Sequence, residues 1–415
     1  QPDYNNSGPR FGFAWRPPIS GETVVRGGYG IYYTPEISNA IFAMAEGAQA
    51  TSGANVNGNI VGAPNLFFDN PFAGSVTTGA LNFAVSNDQN MRDSYIQQWN
   101  FNIQRKLPGS VVLDAGYVGS KGTRLYVTYG DLNRPIDVVN PSTPGLASLN
   151  ARRPNQQYQR AVQSDKSVGN SIYHALQMKA ERRFSRGLTF LTAYTFAKSI
   201  SGPNDIGGQV GGGSFIGSPQ DIYNARADRS VSGFDLTHRF VQTVLYDIPF
   251  FKGTHGVAKY ALDGWQLSTI MTFQSGFPAP IDYGVDTTGT GIGSRADMVA
   301  GQNGNLGSGD RTWQHWFNTA AFAFAKPGAF GTSPRTNSIR LPGIMNADFS
   351  VNKDFMITER RTVQFRAEIF NLLNHYNPDP GSVDRNIRSQ TFGMIGGGVQ
   401  GITTRVVQLG AKLNF

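Results

Sequence analysis

The chain contains no cysteine in 415 residues, which excludes disulfides, thiolate metal sites and thiol nucleophiles together. No stretch reaches the roughly 18 consecutive apolar residues that a spanning helix requires, so no segment suits helical membrane insertion. Charge is sparse at 15% of residues, and the net +8 is scattered rather than gathered in a stripe, which argues against a nucleic-acid footprint. His174, His238, His255, His315 and His375 never pair at metal-ligand spacing, and no His-Glu-x-x-His string occurs. Asp286, Asp297, Asp379 and Asp384 form no EF-hand-like run of alternating oxygen ligands. The Gly116–Thr123 run lacks a Gly-Lys dipeptide because Ser120 separates Gly119 from Lys121, and Gly207, Gly208, Gly211, Gly212 and Gly213 lack dinucleotide-binding spacing. Nothing marks a hydrolytic nucleophile. No metal, cofactor, nucleic-acid partner or enzymatic chemistry is expected. The chain starts at Gln1 with neither an initiator Met nor a basic-then-apolar leader, and the expectation is a piece of a longer protein.

What is present is glycine, at 50 residues, and aromatic residues, at 12%, with a mean hydropathy of −0.30. That mixture fits a β-barrel whose apolar residues are diluted by a polar lumen. Arg405 to Phe415 alternate strictly: Val407, Leu409, Ala411, Leu413 and Phe415 share one face, and Val406, Gln408, Gly410, Lys412 and Asn414 the other. One face suits lipid and the other water.

Eleven such segments are predicted, near 9–16, 22–33, 93–106, 110–119, 171–184, 187–198, 238–249, 263–276, 346–355, 361–372 and 403–415. The links between them alternate in length. Short ones fall at Pro17–Gly21, Leu107–Gly109, Ser185–Arg186, Phe250–Leu262 and Met356–Arg360, and long ones at Thr34–Arg92, Ser120–Asn170, Ser199–Thr237, Phe277–Met345 and Leu373–Ile402. Outer-membrane barrels combine short periplasmic turns with long extracellular loops, so this rhythm assigns each strand a direction and puts Phe415 on the periplasmic side. Because single-chain bacterial barrels have even strand counts, eleven strands are not a complete barrel. Two edges of unpaired N–H and C=O groups would remain, and lipid cannot satisfy them. The piece is therefore not expected to be stable alone: it either pairs with a separate N-terminal half or is a fragment of a longer chain.

Individual strands carry the facing. Trp265, Leu267, Thr269, Met271 and Phe273 oppose Gln266, Ser268, Ile270, Thr272 and Gln274. Trp265 and Phe273 would lie ~20 Å apart along the membrane normal, the separation of two aromatic girdles. Trp99, Phe101 and Ile103 oppose Gln98, Asn100, Asn102 and Gln104. Val363, Phe365, Ala367 and Ile369 are placed outward, and Gln364, Arg366 and Glu368 inward with Lys412, since Arg facing lipid at midplane costs about 2–4 kcal/mol. The segments 188–198, 239–249 and 173–181 mix apolar residues on both faces.

The short turns are basic, with Arg16, Arg105, Lys106, Arg182, Arg183, Arg186, Lys252, Arg360 and Arg361. Two readings stay open: plain turn polarity, or contact with phospholipid headgroups, worth on the order of 1 kcal/mol per cation. The cluster Trp313, His315, Trp316 and Phe317 likewise has two readings, a ligand contact through aromatic stacking or packing at the barrel rim.

Several strings resemble a known family: Arg26-Gly-Gly-Tyr-Gly-Ile-Tyr-Tyr33, Gly116-Tyr-Val-Gly-Ser-Lys-Gly-Thr-Arg-Leu125, Trp316-Phe-Asn-Thr-Ala-Ala-Phe322, Glu181-Arg-Arg-Phe-Ser185 with Tyr194-Thr-Phe-Ala-Lys198, Phe365-Arg-Ala-Glu-Ile-Phe-Asn-Leu-Leu-Asn374 and Gln408-Leu-Gly-Ala-Lys-Leu-Asn-Phe415. They resemble the barrel domain of TonB-dependent outer-membrane receptors of the Oar-like branch, over nearly the whole chain. The resemblance implies an antiparallel transmembrane barrel of the 22-stranded, plugged class, with these residues as its C-terminal part. Plug, TonB box and first barrel half are not found in the sequence, so contact with the TonB complex would lie in a missing N-terminal region. Further implied partners are outer-membrane lipid, an unidentified extracellular ligand, and the barrel-assembly machinery, which would read Leu413 and Phe415. The leading expectation is ligand uptake. A surface adhesin or structural barrel, and a soluble all-β binding protein, are the alternatives.

Overall fold

The computed structural model describes residues 6–18, 22–34, 84–156, 162–203, 219–249, 256–336, 338–358 and 361–415. Their dominant element is a thirteen-stranded sheet whose continuous path has eleven strands. These are β1 (Arg10–Trp15), β2 (Thr23–Thr34), β3 (Ser94–Leu107), β4 (Val111–Tyr129), β5 (Val162–Ser185), β6 (Leu188–Ser201), β7 (His238–Asp247), β8 (Trp265–Gln274), β9 (Ile344–Thr358), β10 (Arg361–Phe370) and β11 (Val406–Asn414). Each pairs antiparallel with the next. Off this path, Ala84–Asn87 adds in parallel to β5 and Ser230–Val231 adds to β6.

All eleven predicted segments are strands, in the predicted order. Four are longer than the alternation suggested, β4 and β5 by the most. β4 runs on to Tyr129 and β5 starts at Val162, so the link between them is 130–161 rather than Ser120–Asn170. The polar run Lys121 to Arg124 conceals this extension. A bulge at Arg124, whose φ is 57°, shifts the register there, and pairing resumes from Leu125↔Gly169 to Tyr129↔Ser164. The link after β7 is also not plain coil, since Val257–Leu262 forms a short helix before β8.

Hairpin chemistry fixes the short ends. Arg186 and Gly187, with φ of 51° and 83°, form the two-residue connection between β5 and β6. Two successive positive φ values match the right-handed strand twist, as in a type I′ turn. The predicted turn residues Lys252 and Arg360 lie outside the described residues, as do His255 and the glycines at 207–213.

The register joins the faces assigned strand by strand. Ile103, Ala115, Met178, Tyr194, Phe240, Phe273 and Met345 form one cross-strand row. On the same side, Trp265 opposes Lys353, Lys353 opposes Phe365, and Phe365 opposes Ala411. The opposite side carries Asp247, Gln266, Asn352, Arg366 and Gly410 in a row. A one-residue slip in any pair would have broken both rows. The sheet does not close among the described residues. Every residue of β1 and of β11 is exposed, and with an odd number of strands both edges run in the same direction.

The apolar core does not lie in the sheet. It lies in the links 275–343 and 371–405, where Ile281, Phe317, Phe322, Ile339, Leu341 and Val383 are buried together, with Trp316, Phe277 and Phe392 packed against them. The rings of Phe317 and Phe392 meet edge to face at 5.1 Å. The long links therefore form a folded cap on one end of the sheet.

Candidate functional site: the polar face and the loop cap

Two regions hold concentrated polar chemistry. The first is the polar face of the sheet. Gln266 Nε2 donates to Asp247 Oδ1 at 2.7 Å, and Asn352 Nδ2 donates to Gln266 Oε1 at 3.2 Å. Gln364 Nε2 donates to Asp354 Oδ1 at 2.9 Å, and Arg366 Nε donates to Gln364 Oε1 at 2.9 Å. Arg366 and Glu368 lie 3.8 Å apart, and Lys412 stands opposite Gln364. Gln364, Arg366, Glu368 and Lys412, placed inward from sequence, thus share one face, and the first three also share one chain of amide and charge contacts.

The opposite face is aromatic, with polar tips at its ends. Tyr117 Oη lies 2.6 Å from His174 Nδ1, and Tyr194 Oη lies 2.8 Å from His238 Nδ1. At the short-turn end, the Lys353 ammonium sits over the rings of Trp265 (5.5 Å) and Phe355 (4.8 Å) and donates to the backbone carbonyl of Asp263. An amine on an apolar face is tolerated where aromatic rings and a carbonyl replace its water.

The second region is the cap, which buried ion pairs tie together. Asp228 Oδ1 meets Arg295 Nη1 at 2.8 Å, its Oδ2 accepts from Gln220 N, and its backbone carbonyl accepts from Arg335 Nε. Asp131 Oδ2 meets Arg153 Nη1 at 2.7 Å, and both residues are buried. Gln220 receives Arg295 N on its Oε1 and donates to Gly331 O. That last contact requires glycine, because a Cβ at position 331 would stand 1.9 Å from the Arg295 carbonyl oxygen. Between the links, Arg134, Ile136, Tyr223, Thr290 and Phe330 line a half-open cavity of about 90 Å³.

The three loop residues singled out from sequence are not gathered into one pocket. Trp316 Nε1 donates to Arg340 O at 2.9 Å and its ring carries the Arg311 guanidinium at 5.1 Å, so it anchors the cap core. Burial pulls the Arg311 guanidinium below its ordinary pKa. Trp313 is 40% exposed and meets Tyr376 edge to face at 4.5 Å. His315 is exposed, its backbone N–H turned to Thr312. At the chain end Leu413 pairs with Val363, and Phe415 is 94% exposed beyond the last strand. Among the described residues no group of three or more His, Asp or Glu side chains could hold a metal ion. Sequence reasoning missed Arg134, Asp131, Arg153, Asp228 and Arg295. Their partners come from other links or from more than 20 residues away, and the only local signal was the polar string Asp131-Leu-Asn-Arg-Pro135 directly after a strand.

An antiparallel sheet with one polar and one apolar face, short turns at one end and folded loops at the other, is the wall of an outer-membrane β-barrel. The chain belongs to the outer membrane beta barrel domain family, whose model matches residues 1–408. The protein is located in the outer membrane. No curated protein matches it. Among solved structures it is similar in fold to the outer membrane transporter YddB from Escherichia coli, at 11% identity and a TM-score of 0.50, covering 98% of this chain and 40% of that one. The ferric-catecholate import receptor Fiu from K12 E. coli, in its closed form, aligns at 10% identity and a TM-score of 0.44, covering 98% of this chain and 34% of that one. The siderophore receptor PiuA from Acinetobacter baumannii aligns at 9% identity and 0.45, covering 98% and 35%. The chain thus spans less than half the length of these transporters and receptors.

Proposed function

We propose that these residues form part of the barrel wall and the extracellular cap of a TonB-dependent, Oar-like receptor that takes up a ligand and carries out no covalent chemistry. The observation that carries this reading is the pairing of a hydrogen-bonded polar sheet face with a folded loop cap at one end only. Charges such as Arg366 and Glu368 along the inner wall suit a path for a hydrated solute, and the folded cap gives that path a capture surface. In this reading the cap captures the ligand, with Trp313 and His315 at its exposed surface and Trp316 holding that surface in place, and the polar face lines the path beside a plug. The energy-coupling contact and the remaining strands lie outside these residues, and Leu413 with Phe415 would present the assembly signal.

The test is genetic. Growth of a strain deleted for the whole gene is compared over a panel of sole nutrient sources with that of a strain lacking the TonB system. The reading expects a growth defect shared by both strains and restored by the gene only when the TonB system is present. A defect in attachment to surfaces that persists without TonB would replace uptake by adhesion.

A further inference from the structure

The cavity between the links contains an unmet electrostatic demand. Arg134 is only 7% exposed, and its Nη1 is buried with no hydrogen-bond partner. An unpaired buried donor carries its full desolvation penalty, and of the seven unpartnered buried side-chain atoms among the described residues only Arg134 Nη1 belongs to a residue lining this cavity. The neighbouring carboxylates are occupied elsewhere. Asp131 accepts from Arg153 Nη1 on Oδ2 and from the backbone nitrogens of Asn133 and Val162 on Oδ1. Asp286 accepts from Thr288 on Oδ1 and from Gly291 N on Oδ2. Burial lowers the pKa of Arg134, while Asp131 and Asp286 sustain its charge from a distance.

The rim has the opposite character. Ile136 is 65% exposed, Tyr223 53% and Val138 40%, an apolar lip around a cationic floor. Asp221 also lines the cavity, its Oδ1 held by Tyr223 N. The carboxylates of Asp131, Asp221 and Asp286 oppose a dianion more strongly than a monoanion, so a carboxylate is the anion that the Arg134 guanidinium suits. We propose that this cavity binds the carboxylate of a small amphipathic acid, with the Arg134 guanidinium donating to the carboxylate and Ile136 and Tyr223 holding the apolar body. The proposal rests on the loops being the ligand-capturing surface, but binding in vitro needs no transport, so it can fail or stand separately from uptake.

The experiment titrates the whole detergent-folded protein with benzoate, with its neutral counterpart benzamide, and with inorganic phosphate, followed by saturation-transfer NMR. Benzoate is expected to bind with a Kd on the order of 1 mM, and benzamide and phosphate about tenfold more weakly or not at all. Arg134→Met should weaken benzoate about tenfold while Arg134→Lys keeps part of the binding, the fold of each being checked by heat-modifiable gel migration. Tyr223→Ala removes the rim ring together with the hydrogen bond from Tyr223 Oη to the Arg134 carbonyl, whereas Tyr223→Phe removes only the latter; Ala should weaken benzoate several-fold and Phe less, the fold of each being checked in the same way. The proposal is overturned if benzoate does not bind, if benzamide or phosphate binds as well, or if both a folded Tyr223→Ala variant and a folded Arg134 variant bind unchanged.

Discussion

Arg340 holds Asp235 at two points: its Nη2 meets the Asp235 carboxylate at 2.7 Å, and its Nη1 donates to the Asp235 backbone carbonyl at 3.1 Å. Asp235 is buried, and its other oxygen accepts from Ser199 N at 2.6 Å near the end of β6. One ion pair therefore clips the 275–343 link to the 202–237 link and to a strand end. Removing Arg340 leaves the buried Asp235 with only the half-exposed Lys198 ammonium, at 4.0 Å, as counter-charge, so the cost should fall below the roughly 3–5 kcal/mol of a buried charge with no partner. Arg340→Ala should open the cap to limited proteolysis while the barrel keeps its heat-modifiable migration. Equal protease resistance in the variant would show that the clip is dispensable.

The two tryptophans should separate. Trp316→Ala removes a ring packed on the cap core and is expected to destabilise the cap by about 3 kcal/mol. Trp313→Ala loses one edge-to-face contact with Tyr376, of order 1 kcal/mol. Hydrogen exchange in residues 277–341 reports the difference, and similar exchange in both variants would contradict the assignment of Trp316 as anchor.

Gly331 should not tolerate a methyl group. Gly331→Ala presses a Cβ into the Arg295 carbonyl and disturbs the Gln220 contact, and overpacking of this kind costs about 1–3 kcal/mol. Gly309, where a Cβ would meet nothing within 4 Å, is the control, and its alanine variant should behave as wild type.

Two loop carboxylates give opposite pH dependences. Burial alone would raise the Asp384 pKa, but hydrogen bonds from Ser389, Thr391 and Asn386 N, with Arg385 nearby, hold it below the usual value. Its stabilisation is present above the ordinary carboxylate range, near about 3.9, and is lost as the pH falls through the lower folded value. Burial raises the Asp282 pKa against the opposing pull of Arg385. The folded state then holds that proton more tightly than the unfolded chain, so stability declines as the pH rises from the ordinary range through the raised value. In protease-protection profiles Asp384→Asn should flatten the acid limb and Asp282→Asn the limb above it. A profile unchanged by either substitution would exclude these groups.

Strand existence, and the split of each strand into a polar and an apolar side, were legible because the alternation keeps a period of two over many residues, as in Trp99–Gln104 and Trp265–Gln274. The extensions of β4 and β5 were not, since beyond Ser120 polar residues such as Lys121 and Lys166 interrupt that alternation. The cap was illegible for another reason. Its core draws on Phe317, Ile339 and Val383 from two links, and its ion pairs join residues with no shared period. Trp316 drew notice by composition alone, and its role became plain only through Arg340 O and Arg311.

The spacing of the cap contacts along the chain sets an order of events. Arg335 reaches Ser201 across 134 residues, Gln220 reaches Gly331 across 111, and Arg340 reaches Asp235 across 105. Contacts that distant are rewarded only after the intervening chain has been brought back on itself, a cost that the strand register meets first. Cap formation is thus expected to be a late step that reports correct registration of the sheet beneath it. A chain with misaligned strands would have no finished capture surface to present.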